Sequence, residues 1–164
     1  MELELKRGGR TARVETLGGE LVSYRDERGL EYIWGGDPAY WPGRNPLLFP
    51  IVGMLKEGKI RFDGREYAME RHGFARRREF TPAARGEDWV RLELRESAET
   101  LALYPYSFRL AVEQRLTDTG FSTAVTVANP GKGPLPFCLG AHTGFRCPLE
   151  AGERFEDYEL VFPE

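Results

Sequence analysis

The chain has only two histidines, and each lies in a turn rich in glycine and phenylalanine: Arg71-His72-Gly73-Phe74-Ala75-Arg76 and Leu139-Gly140-Ala141-His142-Thr143-Gly144-Phe145. Histidine is the side chain whose unperturbed pKa suits proton transfer near neutrality. Neither copy sits inside a periodic apolar run, so both fall on loops, where sites are commonly built. One such histidine alone reads most simply as a surface or core residue without a task. The matched setting of the pair favours two proton donors placed for chemistry.

Other residue types offer less. Arg76-Arg77-Arg78 is the one short basic run, and such a run is more often a solvated face than a phosphate site. The cysteines, Cys138 and Cys147, have no His/Cys cluster around them and do not make a zinc site, so no metal and no cofactor are expected. The start, Met1-Glu2-Leu3-Glu4-Leu5, lacks the basic and apolar regions of a secretion signal, which places the thiols, free, in a reducing cytoplasm. A net charge of −3 gives no reason to expect nucleic acid or a membrane surface as partner. No stretch approaches the ~20 apolar residues of a membrane helix.

The elements that must position the histidines read as strands. Apolar and charged residues alternate in Val90–Arg95 and Phe108–Glu113, and Phe121–Val127 follows the Asp118-Thr119-Gly120 turn. A sharper hairpin joins Lys59–Phe62 to Arg65–Met69 through Asp63-Gly64, a dipeptide that accepts the positive φ of a tight turn. A third joins Ala12–Glu15 to Glu20–Tyr24 across Gly18-Gly19. No long window keeps a helical period, although a short helical turn fits Ala98–Leu101. Many short strands between turn signals imply an all-β antiparallel sandwich. The 164 residues suit one domain. Tyr32–Pro46, rich in aromatics, proline and glycine, reads as a shaped loop. Its Trp34 and Trp41 either stack on a sugar or, somewhat more simply, cap the open end of the sandwich.

With these motifs in view, the chain resembles the aldose 1-epimerase (galactose mutarotase-like) superfamily, in its LacX-like bacterial branch. The resemblance is carried by Tyr32-Ile33-Trp34, Asn45-Pro46-Leu47-Leu48-Phe49-Pro50-Ile51-Val52-Gly53, Phe62-Asp63-Gly64-Arg65-Glu66-Tyr67, His72-Gly73-Phe74-Ala75-Arg76, Tyr104-Pro105-Tyr106-Ser107-Phe108, Leu139-Gly140-Ala141-His142 and Glu153–Tyr158. It implies a large β-sandwich with a sugar site, and interconversion of the anomers of an aldohexose by a general acid and a general base. It also implies His142 as the acid, and His72, Phe74 and Arg76 as substrate contacts. The family base is a glutamate near its C-terminus. No glutamate here falls in that motif, and none is carried over.

The chain departs from the pattern elsewhere. Met54 stands where the family usually has a sugar-binding arginine, and Thr143 follows His142 where proline is common, which is expected to loosen that turn. The sequence ends at Leu160–Glu164, about half-way through the family's sandwich. The resemblance therefore implies a domain over 1–164 that is incomplete at its C-terminus, with uncovered sheet edges that favour self-association. Two other readings stand beside the isomerase: a sugar-binding module or inactive truncated relative, and a hexose-6-phosphate epimerase that would use Arg76, Arg77 and Arg78.

Overall fold

The alternating segments form antiparallel strands in the computed structural model, which describes residues 1–162. β1 (Glu2–Arg7), β2 (Arg10–Glu15) and β3 (Glu20–Arg25) make a three-stranded sheet in that order. β1 turns Leu3 and Leu5 inward and its glutamates outward. Gly8 and Gly9, at φ of 52° and 81°, close its hairpin with β2 in the left-handed backbone that a tight two-residue turn requires. After β4 (Leu47–Leu48), β5 (Lys59–Phe62) and β6 (Arg65–Ala68) form the hairpin expected around Asp63-Gly64. A four-stranded sheet follows, built from β7 (Thr81–Arg85), β8 (Trp89–Arg95), β9 (Arg109–Leu116) and β10 (Phe121–Ala128) in the order β10-β9-β8-β7. β11 (Gly140–Ala141) pairs with β4.

The fold expectation holds: the regular structure of the described residues is mostly strand, in antiparallel sheets. The single α-helix among the described residues is α1 (Ala98–Leu103), begun by a Ser97–Thr100 capping box. The alternation did not reveal β1 or β7. β1 has no turn signal before it to mark it as half of a hairpin, and all of β7 is exposed, with Pro82 on the sheet edge where proline is tolerated.

β1 and β2 pack against β9, so the two main sheets share one core. Val90, Leu92, Leu110, Val112 and Leu116 contribute from the larger sheet, and Leu5, Ala12 and Val14 from the smaller. Gln114 of β9, 2% exposed, crosses between the sheets. Its amide donates to the Gly19 carbonyl at 3.0 Å and its oxygen accepts from the Thr123 hydroxyl at 2.6 Å. Both halves of that buried amide are thereby satisfied. At one end of the core a cluster of rings forms, with Phe49 against Phe74, Tyr104, Phe108 and Phe137.

Candidate functional site

One segment, Pro46–Gly53, buried from Pro46 to Ile51, carries both histidine turns. On it, β4 pairs with β11, and the His142 N–H donates to the Pro46 carbonyl at 3.1 Å. Cys138 N–H donates to the Pro50 carbonyl at 2.8 Å. The other turn docks on the same segment: Phe49 bridges Gly73, Phe74 N–H reaches the Phe49 carbonyl at 3.0 Å, and His72 N–H reaches the Gly53 carbonyl at 2.8 Å. The approach is so close that a Cβ on Gly73 would lie 2.2 Å from the Phe49 carbonyl oxygen, and Gly73 has φ of 70°. Only glycine fits there.

His72 itself has φ of 68°, an uncommon left-handed backbone for a non-glycine residue. Its Nδ1 accepts a hydrogen bond from the Gly53 N–H at 3.0 Å. A nitrogen that accepts cannot also hold a proton, so the proton of the neutral ring sits on Nε2. Burial lowers the His72 pKa, and the positive charges of Arg71, Arg76 and His142 add to that. His72 is thus a neutral ring with an outward N–H donor.

His142 is exposed, and its ring stacks on Trp41, centroids 4.8 Å apart and planes inclined by 30°. Long-range contacts hold its turn. Thr143 donates its hydroxyl to the Asn45 side-chain oxygen at 2.6 Å. Thr143 therefore ties the turn down, correcting the expectation that it loosens it. Glu20, at the start of β3, accepts from the Arg44 and Asn45 backbone N–H groups at 2.8 and 2.6 Å. Gly144 N–H donates to the Arg44 carbonyl and Trp34 N–H to the Gly144 carbonyl, so the aromatic loop and the His142 turn form one unit.

The remaining expected contacts divide. Arg76, partly buried, donates to the Arg71 carbonyl at 3.0 Å, while its buried Nε has no partner among the described residues. Burial lowers its pKa, with the charge of Arg77 adding to the effect. Phe74 is 5% exposed and packs on Phe49 and Phe108, so its ring supports the His72 turn from the core side. Met54 is exposed. The arginine run fans out over a 3₁₀ turn at Ala75–Arg77: Arg77 pairs with Glu70 and Arg78 with Glu99. Both those charges are compensated away from Arg76. Sequence reasoning missed Glu20, Asn45 and Gly53, whose parts are set by partners distant in the chain.

A surface cavity of about 650 Å³ walled by Arg78, Thr81, Glu93 and Thr100 includes neither histidine.

The aldose 1-epimerase family profile matches residues 1–163. The plasmid-borne Protein LacX of Lactococcus lactis subsp. lactis is 40% identical over the whole chain, and its chromosomal counterpart 39%. The chain spans 57% of the length of each. Among solved structures, a galactose mutarotase related enzyme from Lactobacillus acidophilus superposes with a TM-score of 0.92 at 28% identity, covering 96% of this chain and 53% of that one. A galactose mutarotase-like protein from Lactobacillus casei gives 0.87 at 33% identity, covering 92% and 52%. The chain belongs to the aldose 1-epimerase family.

Proposed function

We propose that this chain binds an aldohexose and takes part in interconverting its α and β anomers. The observation that carries the reading is the single Pro46–Gly53 segment on which both histidine turns dock, one histidine held by a hydrogen bond to its ring and the other carried on the turn that β11 begins. Anomer exchange needs the ring to open. The ring oxygen gains a proton as its bond to the anomeric carbon breaks, and the anomeric hydroxyl loses one. Rotation and closure on the other face give the second anomer. His142 is the acid at the ring oxygen. His72 donates its Nε2–H to a sugar oxygen, and Arg76 adds a donor beside it. The base is not assigned: Glu70 pairs with Arg77, and Glu79 is held by Thr16 and the N-terminal ammonium.

The splitting of the arginine run favours an unphosphorylated sugar over a hexose 6-phosphate. The exposed free thiols of Cys138 and Cys147 suit a reducing cytoplasm.

Polarimetry of glucose, galactose and glucose 6-phosphate tests the reading. His142→Ala is expected to abolish anomer exchange, and His72→Ala to act mainly on KM. Sugar-dependent thermal stabilisation without any exchange would identify a binding module instead. Neither binding nor exchange would end the proposal.

A further inference from the structure

We propose that Trp41 is a positioning residue for His142, setting the plane in which the imidazole presents its nitrogens. The proposal rests on the reading of His142 as the acid. The two histidines are held by different means. His72 is oriented by a hydrogen bond from Gly53 to its ring. The ring of His142 makes no hydrogen bond to protein among the described residues, and its side chain is exposed. What holds the His142 ring is the indole face of Trp41, at 4.8 Å and 30°, within the range of tilted stacking.

Trp41 is itself fixed. Its backbone N–H donates to the Asp37 carbonyl at 2.8 Å, and its carbonyl accepts from the Trp34 indole N–H at 2.8 Å. Two glycines leave space for its ring: a Cβ on Gly43 would come within 2.8 Å of the indole, and one on Gly144 within 2.7 Å. Gly144 lies two residues after His142, so the turn that carries the acid also carries the notch that admits the indole. Both are built into one unit with Trp34.

An exposed imidazole without this wall would spread over several rotamers. Few of them direct a nitrogen at the ring oxygen, and orientation of that kind acts on the chemical step rather than on sugar affinity. The loop tryptophan thus acts on its own histidine.

The test combines mutarotation kinetics with ¹H–¹³C spectra of the histidine rings. Trp41→Leu is expected to lower kcat roughly 10–100-fold with KM little changed, while Trp41→Phe keeps most of the activity. In the spectra, the ring C–H signals of His142 lie upfield in the wild type because of the indole ring current. They move downfield in Trp41→Leu and in Gly144→Ala, whose added methyl displaces the indole, while those of His72 stay in place. His142 signals unmoved by Trp41→Leu would overturn the proposal. A defect carried by KM alone would also overturn it and make Trp41 a sugar-stacking platform. If the wild type shows no anomer exchange, the functional reading fails, and the spectra still decide whether Trp41 orients the ring.

Discussion

At the scale of single residues, the two histidines differ in what their backbones do to them. His72 pairs with Gly53 twice, through its N–H and through its ring, which fixes the tautomer and leaves one donor facing outward. Protonating Nδ1 would break the ring bond and place a new charge beside Arg71 and Arg76. Burial first, and then the charges of Arg71, Arg76 and His142, hold His72 below the ordinary histidine value near 6.5. The sign follows from proton linkage: the unfolded chain binds this proton more readily than the native state. The contribution of neutral His72 to stability is complete above about pH 6.5 and is lost as pH falls through the lower native value. NMR titration of the two ring C–H signals checks this directly. A His72 midpoint at or above 6.5 would show that burial and the neighbouring positive charges do not govern its protonation. His72→Gln, which cannot titrate, is expected to remove that part of the acid sensitivity. At this scale the sequence singled out both histidines, but not how each ring is held. That comes from Gly53 and Trp41, whose partnership with the histidines no local pattern announces.

At the scale of elements, the hairpins and the loops were unequally legible. β5–β6 and β9–β10 follow from alternation interrupted by turn-forming residues, both local properties. The Tyr32–Pro46 stretch is ordered by partners far along the chain: Ile33 bridges Phe145, and Arg44 and Asn45 hang on Glu20. Nothing within ten residues specifies those contacts, so the sequence showed an aromatic loop without its geometry. Glu31 shows how such a segment is pinned. Its carboxylate accepts from the Ser23 hydroxyl and from the Tyr24 and Ile33 N–H groups, tying the segment after β3 back onto that strand. Burial acts to raise its pKa, but these hydrogen bonds, led by Ser23, outweigh it and hold the group below the ordinary glutamate value of 4.5. A carboxylate depressed in the native state stabilises it above about pH 4.5, and that contribution is lost as pH falls through the native value. Glu31→Gln is expected to cost roughly 1–3 kcal/mol near neutrality, because buried donors lose a charged acceptor. The variant should also show a shallower decline in stability with acid. Urea unfolding at a series of pH values reads both effects, and an unchanged midpoint at neutral pH would show that the Glu31 contacts contribute nothing net.

At the scale of the whole molecule, the two borders of the four-stranded sheet behave differently. β7 is short, exposed throughout, interrupted by Pro82 and ended by Arg85, features that discourage a further strand from pairing. β10 is eight residues long, with Phe121, Val125 and Val127 partly buried against the core, and among the described strands it pairs on one side only. Beyond it, Phe145, Phe155, Leu160 and Phe162 are 62, 72, 80 and 82% exposed. Single exposed apolar residues are ordinary, but several large ones together favour association, as an unpaired edge strand does. Tyr32, Phe145, Phe155 and Leu160 also wall one cavity of about 510 Å³, so these side chains form a connected surface. Copies of this chain in solution are therefore expected to self-associate through the β10 side and this apolar surface, rather than through β7. Sedimentation velocity over a wide concentration range should show mass rising with concentration. The double replacement Phe155→Ser and Leu160→Ser tests the route, because both side chains are exposed and their loss removes no core packing. If the pair shifts the equilibrium toward monomer, the apolar surface carries the contact; if association persists unchanged, the β10 edge carries it. A wild-type chain that remains monomeric at high concentration would show that neither surface is sticky enough to matter, and that the charged side chains around them already suffice to keep copies apart.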